Sequence, residues 1–478
     1  MRHLLAMLAL CLGTHASAQH WRPIGRGTVA PGSVQTIYGD SVSDRLLIGG
    51  TFLRILNAND TALVVGQAAW NGNRWDSLAT RIQSISGNSA QQTFWYTRYQ
   101  EVLYACGDFT FTSVEGDPNR GLAKLDEQSM RWDAMECANP IMSGLLTLVP
   151  KEPEATLYAT GFDEGLCGYP EACVFRYDGQ AFHEWEPFEQ IPEYNNNYVG
   201  YVFDLRGMTY MTGSYRDPLS NGFSSFMRFN GSAWEYVPGW GDQIGTIKDL
   251  TIHNDTLYVA GTFRQAAGAP GNGVAYFDGE TWNDMGGGVN LIQGPQFTTG
   301  LCLQWFHDDL YVSGQFNEAG GIPINHIAKW NGHQWCSLPG DFYTPNTTAG
   351  WVSDMAVWRD SLYVCGAFTM IDGDTVRNVA QWIGGEATTN CSSVGMAEVV
   401  SSHSFTIAPN PATSSITLHG LPPTATTLVM HDVLGRTVLR LNALSPVLAI
   451  EALPSGTYTV KAFDAKDLPL GIARFVKH

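Results

Sequence analysis

The chain has 478 residues, of which 44% are apolar and only 15% charged, and its 45 acidic residues against 27 Lys plus Arg give a formal charge of −18. That is too long for one ordinary domain and globular rather than disordered in composition. With no basic cluster to offset it, so acidic a surface repels nucleic acid.

The first segment carries Arg2 and His3, then the apolar run "LLAMLALCL", then small residues in "THASAQ". This is the order of a secretory signal peptide over residues 1–18, with cleavage expected after Ala18. The run falls well short of the roughly 20 apolar residues that span a bilayer, and no later stretch is longer. An exported chain without a membrane span is expected. Of nine cysteines, Cys11 leaves with the signal and eight remain. An even count in an exported chain favours disulfides. The sequence contains no C-x2-C pair with matching histidines, so no metal and no cofactor is expected. Cys167 and Cys173 flank the short loop "CGYPEAC" and form the first expected pair. Cys106 with Cys137 and Cys365 with Cys391 come next, and Cys302 with Cys336 follows by elimination.

From residue 46 onward one strand-like motif recurs seven times: "LLIGGTF" at 46, "LYACGDF" at 103, "LYATGF" at 157, "TYMTGSY" at 209, "LYVAGTF" at 257, "LYVSGQF" at 310 and "LYVCGAF" at 362. Its glycines, Gly50, Gly107, Gly161, Gly213, Gly261, Gly314 and Gly366, are spaced by 57, 54, 52, 48, 53 and 52 residues. A second signature follows in most units, as in "AAWNGNRWDSL" at 68 and "VAYFDGETWNDM" at 274. Asn-Gly or Asp-Gly between aromatic-rich runs is a strong hairpin signal. A further strand precedes each motif, as in "TIHNDTLYV". Each unit therefore holds four strands, a to d, with no helical period between them. Four-stranded units repeated radially predict an all-β, seven-bladed β-propeller over residues 19–385. The last unit lacks its own strand d. "HWRPIG", His20 to Gly25, supplies it from the other end of the chain and closes the ring, which also hides sheet edges. Trp21, Trp75, Trp132, Trp185, Trp234, Trp282 and Trp335 are expected to pack between blades.

Past Gly385 the small, polar stretch at 386–402 reads as a linker. Residues 403–478 alternate short strands with Pro, Gly and Asn turns, which predicts a small β-sandwich. Four pieces stand in order here: "FTIAPNPA" at 405, "VMHDVLGRTV" at 429, "LPSGTYTVK" at 453 and the closing "ARFVKH". Over residues 405–478 the segment resembles the C-terminal sorting domain of proteins exported by the type IX secretion system of Bacteroidetes. The resemblance implies that the secretion machinery is a partner. It also implies that the domain is removed after passage across the outer membrane, with the cargo released or held at the cell surface. Such domains ride on unrelated cargoes. The repeats, through their glycine-aromatic and Asp-Gly…Trp pattern, are similar to those of secreted bacterial kelch-like propellers.

No G-x-S-x-G elbow, H-E-x-x-H, phosphate loop or EF-hand spacing occurs, and no catalytic residue is assigned. His253 and His307 occupy equivalent a–b turns, "HND" and "HDD", and read as structural. Six Asp-Ser/Thr triplets, beginning at Asp40, Asp60, Asp76, Asp255, Asp360 and Asp374, resemble the Bacteroidetes O-glycosylation acceptor and are equally ordinary turn chemistry. The long b–c and d–a connections open on one face and carry Trp240, Tyr194, Phe342 and Tyr343. These are the expected ligand contacts, since loops on a rigid scaffold commonly carry function and exposed aromatics suit sugar rings or a protein partner. The expectation is a monomeric, non-enzymatic binding or adhesion propeller with a glycan or protein ligand, secreted or on the outer cell surface. The alternative is an extracellular carbohydrate-active or oxidase-type enzyme with its site at the channel mouth.

Overall fold

The computed structural model describes residues 20–478 apart from 30–31, 81, 84–91, 112–119, 136–144, 152–155, 162–173, 186–198, 217–222, 238–239, 241–246, 264–270, 291–298, 346–349, 384–404, 422, 432–436, 442–446 and 464–468. The expected signal peptide and linker lie outside the described residues. The chain forms two compact units that divide between Cys391 and Ser392.

Among the described residues the first unit is all-β and propeller-like, built on antiparallel sheets that share one four-strand order. The first sheet runs Val34–Asp40, Arg45–Gly50, Gln67–Trp70 and Trp75–Ser77. Six more follow the same a-b-c-d plan, the second carrying Ile82–Gln83 as an extra strand. In the seventh, Val352–Trp358, Ser361–Gly366 and Val379–Ile383 are joined by His20–Pro23, with Trp21 opposite Trp382. The innermost strands touch in chain order, and the seventh touches the first.

The c–d turns explain why the Asx-Gly signature repeats. Asn71, Asp178, Asn230, Asp278 and Asn331 each accept a backbone N–H from two residues on. The glycines that follow them, such as Gly72 at φ 100° and Gly279 at φ 96°, sit in the left-handed region that a side chain disfavours. The strand-d tryptophans are buried between sheets. Trp75 Nε1 donates to the Ile24 carbonyl at 3.0 Å, Trp335 Nε1 to Met285 at 2.6 Å and Trp21 Nε1 to Pro339 at 2.8 Å. In each case the acceptor lies just past strand d of the preceding sheet.

Three small sheets are added at the seams. Gly27–Thr28 pairs with Arg54–Leu56 and Thr61–Leu63; Val289–Asn290 with Glu318–Ala319 and Ile322–Pro323; Phe342–Tyr343 with Met370–Ile371 and Asp374–Thr375. A d–a connection thus pairs with the b–c hairpin of the following sheet. At these seams the long connections bridge neighbouring sheets.

The cysteine pairings are corrected. Cys106, Cys302 and Cys365 are free and buried, so Cys106–Cys137, Cys365–Cys391 and Cys302–Cys336 do not form. Cys106 and Cys365 sit on strand b at the centre of their sheets, where only core side chains approach. Cys336 is disulfide-bonded. Cys167 and Cys173 also lie outside them.

The second unit has two antiparallel sheets. One is Thr406–Ala408, Ser415–His419 and Val447–Ala449; the other is Thr437–Leu441, Thr427–His431, Gly456–Phe463 and Pro469–Lys477. Both contribute to one core, with Ile407, Ile416 and Leu448 from the first and Met430, Tyr458, Val460 and Phe475 from the second.

Candidate functional site

Every innermost strand carries a register shift near its start, between Val34 and Thr36, Thr93 and Trp95, Leu145 and Thr147, Val199 and Val202, Ile247 and Asp249, Thr299 and Cys302, and Val352 and Asp354. A bulge re-aims the side chain beside it. The hub of the ring holds a cavity of about 550 Å³ lined from all seven innermost strands, with Thr36, Trp95, Leu148, Tyr201, Asp249, Cys302 and Asp354 among its walls. That volume lies in the range of small-molecule sites. Tyr38, Trp95, Tyr201 and Trp305 supply aromatic wall, and among the described residues no Lys, Arg or His lines it.

The two acids act first as staples. Asp354 Oδ2 accepts Ile37 N–H at 2.9 Å and the Thr36 hydroxyl at 3.0 Å, both from the first sheet. Its Oδ1 accepts Met355 N–H at 2.8 Å and the Cys302 thiol at 3.1 Å. Asp249 Oδ2 accepts Leu303 N–H at 2.7 Å from the next sheet, and Oδ1 accepts Leu250 N–H at 2.8 Å. Other seams at this level are closed by Tyr201, whose hydroxyl donates to the Lys248 carbonyl at 2.9 Å, and by Thr160, which donates to Gly200 at 2.6 Å. Desolvation pushes the Asp249 carboxyl up to about 7, with the charge of Asp354 adding to it. Asp354 is also raised by burial, opposed by Ile37 N–H, Cys302, Met355 N–H and Thr36, which all favour its anion. Burial and the two carboxylates raise the Cys302 thiol far above its ordinary range, which makes it a poor nucleophile. Among the described residues no group of three or more His, Cys, Asp or Glu could hold a metal ion.

The expected loop contacts fall elsewhere. Trp240 is 1% exposed and packs on Phe263 and Trp282, with centroids 4.9 and 4.3 Å away. Phe342 is likewise 1% exposed, against Trp21 and Phe368 at 5.5 and 5.1 Å. Both are corrected to seam core: each sits on a d–a connection over the aromatic that closes the next strand-b motif. Tyr343, beside Phe342 in the strand facing Met370, is partly exposed, and Tyr194 lies outside the described residues. His253 stacks on Trp305 at 4.0 Å, and the exposed His307 pairs with Asp360 at 3.2 Å.

The hub acids escaped the sequence reading, yet a signal for them exists. Asp249, Cys302 and Asp354 each precede the repeated glycine, Gly261, Gly314 and Gly366, by twelve residues. The seven residues at the shift vary in type while the strands around them repeat. Only closure of the ring brings them together.

No family model and no curated protein matches the chain. Among solved structures it is similar to PorZ, a surface component of the type IX secretion system of Porphyromonas gingivalis, at 12% identity and TM-score 0.39, covering 96% of this chain and 61% of that one. The extracellular domain of a hybrid two-component system from B. thetaiotaomicron gives 10% identity and TM-score 0.43, covering 97% and 59%. The WD40 β-propeller domain of Doa1 gives 8% identity and TM-score 0.40, covering 76% and 97%. The chain therefore spans less than two thirds of the first two.

Proposed function

We propose that this is an exported, non-enzymatic binding protein, a closed seven-bladed propeller that holds a sugar ring or a side chain of a protein partner at its hub. The observation that carries this reading is the state of the hub acids. The oxygens of Asp354 are occupied by four donors and those of Asp249 by backbone N–H groups, which suits a structural staple better than a general base. Beside them the cavity presents Tyr38, Trp95, Tyr201 and Trp305 together with Thr97, Thr251 and Gln304, a mixture of aromatic faces and hydrogen-bonding groups that suits a sugar ring or a polar side chain. Tyr343 and Tyr194 remain candidate contacts at the rim.

The test is a glycan array probed with the mature chain, followed by titration of any oligosaccharide retained. Trp95→Ala and Trp305→Ala should each weaken binding by about 1 kcal/mol. Turnover of the retained sugar would refute a purely binding role, and unchanged affinity in both variants would remove the hub as the site.

The C-terminal unit is proposed as a β-sandwich sorting domain, on the four sequence pieces at 405–478 and on its separate core. Deleting residues 403–478 should leave the first unit folded and confined to the periplasm. Surface export of the truncated chain would contradict that role.

A further inference from the structure

The hub contains one feature that ligand binding does not explain. Two carboxylates and one thiol, from three successive innermost strands, meet in a cavity that no cationic side chain lines among the described residues. Cys302 lies between them, hydrogen-bonded to Asp354 at 3.1 Å and also to Asp249. A thiol has one proton to donate.

The two acids have opposite surroundings. Asp354 faces donors on every side: Thr36 and Ile37 of the first sheet, its own neighbour Met355, and Cys302; its register partner on strand b is the thiol Cys365. Such a shell suits an anion. Asp249 receives two backbone N–H groups, and its other polar neighbours are the Tyr201 hydroxyl at 3.5 Å and the Cys302 thiol, which Asp354 shares. The Tyr201 hydroxyl, 3.5 Å from Asp249 Oδ1, directs its single proton to the Lys248 carbonyl at the shorter 2.9 Å. The Cys302 proton lies toward Asp354. Each has one proton and a second acceptor, so neither donates fully to Asp249. From strand b its register partner is the apolar Ala260. A buried carboxyl with two backbone donors, beside a second carboxyl that has four donors, is the one placed to carry a proton.

We propose that Asp249 and Asp354 hold one proton between them at neutral pH, with Asp249 the neutral acid and Asp354 the anion, and that its loss is a pH-sensitive release of the seams they staple. When Asp249 ionises, the proton goes to solvent and the hub charge rises from one negative to two. The Leu303 clamp between the fifth and sixth sheets then lies beside two like charges, as does the Cys302 contact between the sixth and seventh. The direction of the effect follows from linkage. Burial raises Asp249 from 3.8 to about 7, so the folded chain binds this proton more tightly than the unfolded chain. Its contribution is fully present below the ordinary carboxylate range and is lost as pH rises through about 7. The binding reading is not required, because the test reads stability and protonation alone.

The experiment compares thermal unfolding of the full mature chain and Asp249→Asn, which mimics the neutral acid, from about pH 5 to about pH 8. The remaining carboxylates contribute alike to both proteins, so the difference isolates this pair. The wild-type Tm should fall by a few degrees relative to the variant as pH rises, and Asp354→Asn should not reproduce the variant's flattened profile. Parallel wild-type and Asp249→Asn curves would overturn the proposal. Should Asp249→Asn fail to fold, infrared difference spectra of the wild type decide. A protonated-carboxyl C=O stretch that is present near pH 6 and disappears with a midpoint near 7 supports the proposal. Its absence at the lower pH refutes it.

Discussion

Two seams of the ring solve the same packing problem differently. Where the seventh sheet meets the first, Trp75 donates to the Ile24 carbonyl at 3.0 Å, and Asn57 brackets its backbone, accepting Trp75 N–H at 2.7 Å and donating to its carbonyl at 3.1 Å. Where the fourth meets the fifth, Trp282 holds the same place, but its Nε1 has no hydrogen-bond partner among the described residues. Trp240 packs there instead, with its ring 4.3 Å from that of Trp282. The repeat thus specifies an apolar slot at each seam, while satisfaction of the polar edge is settled seam by seam. Burying an indole edge unpaired has a cost, and the Trp240 contacts offset it through apolar area and edge-to-face geometry.

The largest test of this contrast is deletion of each ring. Trp75→Ala should destabilise the first unit by about 3–5 kcal/mol, and Trp240→Ala by a similar amount, read by chemical denaturation. A Trp240→Ala variant of wild-type stability would return that ring to the list of ligand contacts. A smaller effect separates the two seams. Trp75→Phe loses a seam hydrogen bond and strands the Ile24 carbonyl, so it should cost about 1 kcal/mol more than Trp282→Phe, which removes an already unpaired N–H. Equal costs would show that the indole edge of Trp282 is satisfied in solution. Smallest is Arg359→Ala. Its guanidinium pairs with Asp44 at 2.6 and 2.9 Å across the seam of the seventh and first sheets, but both side chains are exposed, 48% and 60%. Removing it should move the unfolding midpoint little, and less still in added salt.

What was legible in the sequence is what repeats. The glycine-aromatic motif marked strand b and the Asx-Gly turns marked the c–d hairpins. The missing last strand, with Trp21 in the series of tryptophans, pointed to pairing between Trp21 and Trp382. These features were readable because they rest on local rules: a glycine or Asx where φ turns positive, alternation along a strand, and an aromatic where a seam must be filled. The misreadings share a cause. Trp240 and Phe342 looked unique because the connections around them differ in length, yet both occupy one repeated slot over Phe263 and Phe368.

Composition, repeat spacing and turn chemistry alone determined the all-β class and the N-terminal strand's place in the last repeated unit. Tertiary structure alone decided which side chains meet at the hub. Asp249, Cys302 and Asp354 lie about fifty residues apart along the chain and become neighbours only when the ring closes. The same is true of the cysteines. An even count suggested pairing, but Cys106 and Cys365 are fixed on central strands whose pleat points them into apolar core, out of reach of a second thiol. Local preference selects strands and turns one at a time; distance in space is set by all of them together.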